Sequence, residues 1–429
     1  MTHERITVTS SLLKAYFICF CAALFYIYQF VLRVAPSVMV DEIMLTFHLD
    51  AASFAFLSAS AMYTYSLMQI PAGIFADKYG VRACVLLSLF FCSIGALCFS
   101  LIDNYWLALL SRMLIGAGSA CAFLCMTKIA INWFGVRWQA RIFGIAMTAG
   151  TIGALNGSIP IAYLLETTTW NGVFMILSVI GMMIWGLNYF FLKEKQEISM
   201  TLTEKKSSIS FQSIKLILQK PACWLNAIAA LGIYACVSVV ADLWGVSFCM
   251  QAFELSRPKA AELTSLIYVG LCVGSIVIPF ICDYGLGRKK FILAGLFIII
   301  CCLAQFAFGE NLSIFNISVL LIIIGFFAGT EMLCFTNACE AVLPSIAGTT
   351  TGFVNCIVML GGSLLQNFFG LVMNHSWQGK VDASNEPIYG MYEYRSGFLL
   401  IISCLIISLI VATLIPSDHQ AQKLSGEFK

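Results

Sequence analysis

The feature that most constrains this chain is a series of long apolar runs, each of the length that one helix needs to cross a bilayer. A transmembrane helix takes about 20 mostly apolar residues. Charged residues form only 11% of the chain, against roughly 25% in soluble domains. The runs are continuous rather than alternating, which excludes a membrane β-barrel. Twelve runs are predicted, at residues 13–38, 51–75, 83–102, 106–131, 141–163, 171–192, 222–248, 262–282, 291–308, 314–339, 347–373 and 396–415.

Basic residues concentrate in the even-numbered loops between these runs, and acidic residues in the odd-numbered loops. Cytoplasmic loops carry the excess of Lys and Arg in membrane proteins. We therefore expect a multi-pass protein, in a bacterial inner (plasma) membrane, with both termini in the cytoplasm. The basic residues of the even loops are Lys78, Arg82, Arg137, Arg141, Lys193, Lys195, Lys205, Lys206, Lys215, Lys220, Arg288, Lys289 and Lys290.

The longest polar segment divides the chain into two halves of six runs each. The predicted domains are an N-terminal six-helix bundle at 1–193, a cytoplasmic linker at 194–220, a C-terminal bundle at 221–415 and a cytoplasmic tail at 416–429. The end of the linker has apolar residues at helical spacing, which predicts a short helix on the membrane surface.

Composition and motifs exclude several function classes. The formal net charge is +2, so there is no footprint for nucleic-acid binding. Nearly all of the 18 cysteines lie inside apolar runs, where cysteine acts as a small apolar residue. No metalloprotease, hydrolase or phosphate-loop motif is present. We therefore predict no enzyme, no cofactor and no metal site, with a small-molecule substrate and the lipid bilayer as partners.

Two loops repeat between the halves. Asp77 and Arg82 follow the second run, and Asp283 and Arg288, equally spaced, follow the eighth. Such parallel repeats are typical of one transporter architecture.

The first of these loops, Gly73-x-x-x-Asp77-Lys-x-Gly80-x-Arg82, resembles the signature loop of the major facilitator superfamily. In the fourth run, Arg112-x-x-x-Gly116-x-Gly118 resembles the second signature of that family. The resemblance implies two six-helix bundles related by pseudo-two-fold symmetry. Asp77 could meet a helix N-terminus in one conformation and release it in the other. The alternative is that these loops only anchor the topology.

A more specific resemblance involves the first two runs. Tyr65-x-x-x-Gln69-Ile70-Pro71, together with Tyr28 and Arg33, is similar to the anion:cation symporter branch, whose members move organic anions. The run from Tyr28 to Met39 also resembles the phagosomal nutrient transporters of intracellular bacteria, which import amino acids or nucleosides.

This sequence departs from the sugar-acid symporters of that branch at two positions. Leu32 and Ser119 stand where those relatives carry acids. Proton coupling would therefore use other carboxyl groups or that of the substrate.

Arg33 is the foremost substrate candidate, because a guanidinium offers a planar fork of donors that matches a carboxylate. The alternative is a structural ion pair with an acid of another helix. Charged residues inside spans are rare and mark functional sites. The other predicted substrate-binding residues are Tyr65, Tyr28, Gln69, Asn355 and Gln366. Packing is the alternative role of the two tyrosines, and cross-helix hydrogen bonding is that of Asn355 and Gln366.

Two carboxyl groups lie well inside spans, Asp242 in the seventh and Glu331 in the tenth. Burial favours the protonated form of a carboxyl group. Both residues are therefore predicted candidates for carrying a coupling proton.

Three functions stay open at this point. The first is secondary active transport of a small polar solute, a carboxylate-bearing organic anion or an amino acid, by alternating access and coupled to protons. The second is export of drugs or metabolites, although Ile159 stands where drug antiporters place a Gly before Pro160. The third is a transporter-like membrane receptor. A monomer is expected.

Overall fold

The structure is a computed structural model that describes residues 2–134, 139–192, 211–283, 287–343, 346–381 and 387–416. Within these ranges the chain is helical, apart from turns and an isolated antiparallel bridge between Val381 and Pro387. The helices are α1 Thr2–Val34, α2 Val40–Phe47, α3 Ala51–Tyr79, α4 Val81–Leu101, α5 Tyr105–Ser119, α6 Ala122–Phe134, α7 Gln139–Leu164, α8 Trp170–Phe191, α9 Phe211–Leu218, α10 Pro221–Cys236, α11 Gly245–Phe253, α12 Arg257–Asp283, α13 Arg288–Phe308, α14 Ile314–Ala328, α15 Glu331–Glu340, α16 Ala347–His375 and α17 Met391–Thr413.

The lengths of the apolar runs account for the spans. Among the described residues, 10 helical segments are long and apolar enough to cross a membrane, or up to 11 when the bent pair α2 and α3 counts as one. Helix α7 lies where the fifth run predicts a span. The predicted all-α membrane fold is confirmed, and the count of twelve is consistent with it.

Several spans are broken rather than continuous. The fourth predicted span consists of α5 and α6, which are separated by a turn at Ala120 and Cys121. The seventh contains a π-helical segment, Val237–Trp244, between α10 and α11. The tenth is divided into α14 and α15. Such interruptions free backbone groups inside the membrane, and these groups need partners from neighbouring helices.

The chain forms two compact units. Unit 1 comprises Met1–Ala35 and Ser60–Lys206, and unit 2 comprises Pro36–Ala59 and Ser207–Lys429. The segment Pro36–Ala59, which contains α2 and the start of α3, thus belongs to unit 2. The sequence-based boundaries at 193 and 220 stay a prediction.

Close helix packing in unit 1 depends on the glycines of the second signature. A Cβ at Gly116 would lie 1.8 Å from the carbonyl oxygen of Ala61 on α3. A Cβ at Gly118 would lie 2.6 Å from the carbonyl oxygen of Ser88 on α4. Side chains at either position would force the backbones apart, so these small residues set the spacing of three helices.

Unit 2 is held together at one end by polar contacts to the start of α3. Asp50 caps this helix by accepting a hydrogen bond from the Ser53 amide at 2.7 Å, and its second oxygen accepts one from Asn374 at 2.8 Å. The Ala51 amide donates to the hydroxyl of Tyr389 at 3.0 Å. The first amides of a helix have no partner within the helix, and the Tyr389 hydroxyl, from the segment after α16, supplies a partner for the first amide of α3.

Candidate functional site

Arg33 lies at the end of α1, half-buried, in unit 1. Its guanidinium carbon is 5.5 Å from the ring centroid of Phe30. Its charge also acts on the hydroxyl groups of Tyr26 and Tyr65, and Tyr65 is hydrogen-bonded to Gln69. We call Arg33, Tyr26, Tyr65 and Gln69 the arginine cluster. It brings together one positive charge and three groups that can donate or accept hydrogen bonds.

Arg112 binds the backbone immediately before Arg33. Its side chain is only 2% exposed, and its Nη1 donates to the carbonyl oxygen of Leu32 at 3.1 Å. A buried arginine is costly in a membrane protein, and here it is used to hold the backbone next to Arg33. The guanidinium carbon also lies 5.8 Å from the ring centroid of Phe99.

Tyr28 lies apart from the arginine cluster. Its hydroxyl donates to the carbonyl oxygen of Leu177 on α8 at 2.9 Å, and the side chain is 2% exposed. A Cβ at Gly181 would lie 2.3 Å from this hydroxyl. Tyr28 therefore serves the packing of α1 on α8, the role that the sequence left as its alternative.

Asp242 lies in the π-helical segment of unit 2 and is buried. Its Oδ1 accepts a hydrogen bond from the Tyr268 hydroxyl at 2.6 Å, and its Oδ2 accepts one from the Tyr234 hydroxyl at 3.3 Å. We call these three residues the aspartate cluster. π-Helical turns occur frequently at functional sites, and this one places a carboxyl group between tyrosines from α10 and α12.

Gln366 braces the π-helical segment. Its Nε2 donates to the carbonyl oxygen of Ser238 at 2.7 Å. In return, the indole nitrogen of Trp244 donates to the carbonyl oxygen of Gln366 at 3.3 Å. Because the π-helical segment leaves carbonyl groups without regular helical partners, the Gln366 amide satisfies a backbone group inside the membrane. Asn355 lies about three turns earlier on the same face of α16 and is half-buried.

Glu331 is buried at the first position of α15. A carboxylate in the first turn of a helix is stabilised by the helix dipole. The preceding break needs Gly329, where a Cβ would lie 2.3 Å from the backbone of Gly274 on α12.

The two repeated loops each end in an anchored arginine. The Arg82 Nη2 donates to the carbonyl oxygen of Tyr189 at 2.7 Å, and the Arg288 Nη1 lies 2.6 Å from the Oε2 of Glu340. Gly80 and Gly287, immediately before α4 and α13, both have positive φ angles, of 88° and 35°. The side chains of Asp77 and Asp283 lie outside the described part of the chain. Replacement of Gly73 by alanine would create only an ordinary van der Waals contact, because the added Cβ would lie 3.6 Å from the side chain of Leu124.

Three tyrosines of the two clusters were not predicted from the sequence: Tyr26 in the arginine cluster, and Tyr234 and Tyr268 in the aspartate cluster. Tyr26 lies only two positions before Tyr28, in a run rich in aromatic residues. Tyr234 and Tyr268 are tyrosines inside apolar runs, which is a weak signal. The hydroxyl group that each of them carries in a span near a charged residue is the signal that could have identified all three tyrosines.

Comparisons with known proteins agree with this architecture. The chain is 23% identical over 314 residues to a probable L-galactonate transporter of Escherichia coli strain K12, covering 68% of this chain and 67% of that protein. It is 20% identical over 349 residues to the D-galactonate transporter of Escherichia coli O6:H1 strain CFT073, covering 74% of this chain and 79% of that protein.

A bacterial homolog of the human lysosomal transporter Spinster, solved in an inward-facing and occupied conformation, shares the fold. The TM-score is 0.75 at 16% identity, with 93% of this chain and 96% of that chain covered. Residues 18–365 match the sequence profile described as Major Facilitator Superfamily. Because this match spans most of the chain, and the relatives are transporters rather than enzymes, the chain belongs to the Major Facilitator Superfamily.

Proposed function

We propose that this chain takes up a small carboxylate-bearing solute, an organic anion or an amino acid, by proton-coupled alternating access. The observation that carries the proposal is the arginine cluster. It places a half-buried guanidinium in the first span beside Tyr65 and Gln69.

The chemistry of the cluster favours an anionic group on the solute. A guanidinium binds a carboxylate through two parallel hydrogen bonds, which adds directional specificity to the attraction of charges. Hydroxyl and amide groups beside it suit the polar remainder of a sugar acid or an amino acid. The two relatives reported above are named for L-galactonate and D-galactonate, and these names support a carboxylate-bearing solute for the present chain.

The aspartate cluster is the proposed site of proton coupling, with Glu331 as the second candidate. Two tyrosine hydroxyls, from α10 and α12, donate to the Asp242 carboxyl group. A movement that changes these two bonds would therefore change the surroundings of this carboxyl group during the cycle.

Alternating access requires the two six-helix repeats to move against each other. The segment Pro36–Ala59 lies in the first repeat by sequence, but it is grouped with unit 2 by its contacts. They include the ion pair of Glu42 with Arg257 and the hydrogen bond between Asp50 and Asn374. These contacts would break and re-form during transport.

Location and assembly follow from the same proposal. The positive even loops support a bacterial inner membrane protein with both termini in the cytoplasm. A major facilitator chain contains both repeats, so we propose that it works as a monomer.

The proposal is tested by uptake into proteoliposomes with and without an imposed proton gradient. Solutes would first be selected by their effect on the melting temperature of the purified protein. Arg33→Lys keeps the charge but removes the fork of donors, so we expect solute affinity to fall at least about tenfold, as for the loss of one charge-assisted hydrogen bond.

The matched control is Arg395→Lys. The Nε of Arg395 donates to the carbonyl oxygen of Ala307 at 3.2 Å, and this variant should keep the affinity for the solute. Unchanged affinity in Arg33→Lys would remove Arg33 from the solute site. Uptake that is indifferent to the proton gradient would remove proton coupling.

A further inference from the structure

Three cysteines come together in unit 1. Cys84 is near the start of α4, Cys121 lies in the turn between α5 and α6, and Cys125 lies in the first turns of α6. All three are buried, and their Sγ atoms lie within 4.8 Å of one another. We searched the described side chains for three or more His, Cys, Asp or Glu residues whose ligand atoms could bind one metal ion, and these three cysteines form such a group. We call it the thiol cluster.

The break in the fourth span builds this arrangement. Cys121 lies in the turn, and its carbonyl oxygen accepts a hydrogen bond from the Cys125 amide at 2.8 Å. The two thiols are therefore one turn apart on the side that meets α4. Ser88, one turn beyond Cys84, places its Oγ 2.8 Å from the Sγ of Cys121.

The surroundings of the thiol cluster are polar for a membrane interior. The Cys84 thiol lies 3.8 Å from the carbonyl oxygen of Ala72. Lys128, one turn after Cys125, acts electrostatically on both Cys84 and Cys125. A cysteine that only fills space needs neither a nearby cation nor two other thiols.

We propose that the thiol cluster binds a divalent d¹⁰ metal ion such as Zn²⁺. Bonds of about 2.3 Å from zinc to sulfur place three thiolates roughly 4 Å apart, so the present separations need to contract by less than about 1 Å. Ser88 or a water molecule would supply the fourth ligand of a tetrahedral site.

The charges favour a divalent ion over a monovalent one. Three thiolates and one divalent ion carry a net charge of −1, which the Lys128 ammonium balances. With a monovalent ion the same site would keep an uncompensated negative charge, which is costly when buried. The proposal differs, at these three positions, from the sequence-based expectation of cysteines as small apolar residues and of no metal site.

Cadmium is the probe of choice, because thiolates bound to Cd²⁺ produce a charge-transfer band in the ultraviolet. The purified full chain would be titrated with Cd²⁺, and binding counted by elemental analysis after gel filtration. We expect the variant Cys84→Ala, Cys121→Ala, Cys125→Ala to lose about one equivalent of Cd²⁺ relative to the wild-type chain. A control in which Cys21, Cys236 and Cys249, which are also fully buried, are replaced by Ala should keep it.

A second measurement uses the wild-type chain alone, in case the triple variant fails to fold. Zn²⁺ should slow alkylation of Cys84, Cys121 and Cys125, as read by peptide mass spectrometry, and leave the alkylation of Cys236 unchanged. Equal Cd²⁺ binding by both triple variants, or equal alkylation with and without Zn²⁺, would overturn the proposal. A disulfide between Cys84 and either partner in the purified protein would overturn it as well.

Discussion

Tyr389 is the residue whose replacement tests how the start of α3 is held in unit 2. Its hydroxyl accepts a hydrogen bond from the Ala51 amide at 3.0 Å and donates one to the Oδ1 of Asn374 at 3.2 Å. Burial is the main cause that raises the pKa of Tyr389 above its usual value, so the hydroxyl keeps its proton and donates at neutral pH. Tyr389→Phe removes both bonds and keeps the ring.

The expected magnitude follows from these two bonds. A neutral hydrogen bond contributes about 0.5–1.5 kcal/mol, so the variant should lower the free energy of detaching this helix end by about 1–3 kcal/mol. Since about 1.4 kcal/mol is a factor of ten in an equilibrium constant, detachment should become roughly 5- to 150-fold more frequent.

Hydrogen–deuterium exchange measures this change directly. Amides that exchange only through local opening do so at a rate set by the opening equilibrium. Peptides that cover the first turns of α3 should therefore exchange faster by the same factor in Tyr389→Phe. The control is Tyr392→Phe, because Tyr392 is 58% exposed and surface replacements change stability by at most about 0.5 kcal/mol.

The result that would refute this reasoning is equal exchange of the α3 peptides in the two variants. Tyr389 would then contribute nothing to holding Pro36–Ala59. Exchange that rises equally along the whole chain would indicate global destabilisation rather than local detachment.

Two further predictions concern the packing of unit 1 and the aspartate cluster. Gly116→Ala would place a carbon 1.8 Å from a backbone oxygen of α3, so we expect a loss of about 1–3 kcal/mol in the free energy of unfolding, seen as a lower Tm. Gly186→Ala, which has nothing within 4 Å of the added carbon, should melt like the wild type, and equal melting of both variants would contradict the close approach. Tyr268→Phe removes the 2.6 Å bond to Asp242 and should reduce proton-driven uptake by about tenfold or more. Tyr234→Phe, with a bond of 3.3 Å, should reduce uptake less, and the reverse order would contradict the assignment.

Hydropathy was sufficient to predict the spans, because the solvent around a membrane helix imposes its length. The predicted run 171–192 corresponds to the helix Trp170–Phe191, and the run 347–373 corresponds to the helix Ala347–His375. The breaks were not predictable in this way. The turn at Cys121 and the π-helical segment at Val237–Trp244 lie within long, mostly apolar runs, and at Ser238 the Gln366 amide of another helix satisfies the backbone.

The candidate site was predictable in part. Arg33 and Asp242 could be identified because ionised groups are rare within spans, and Tyr65 and Gln69 from the family resemblance. Tyr26, Tyr234 and Tyr268 could not, because an aromatic residue in an apolar run has the same pattern whether it packs or binds. For Gln366 the sequence left two roles open, and its amide donates to the carbonyl oxygen of Ser238, which is a hydrogen bond between helices.

The assignment of the two clusters to different compact units constrains how coupling could work. The arginine cluster lies in unit 1 and the aspartate cluster in unit 2. A ligand shifts a conformational equilibrium only by its difference in affinity for the two states, and one that binds both states equally shifts nothing. An anion at Arg33 and a proton at Asp242 are therefore coupled only if the same movement changes both sites.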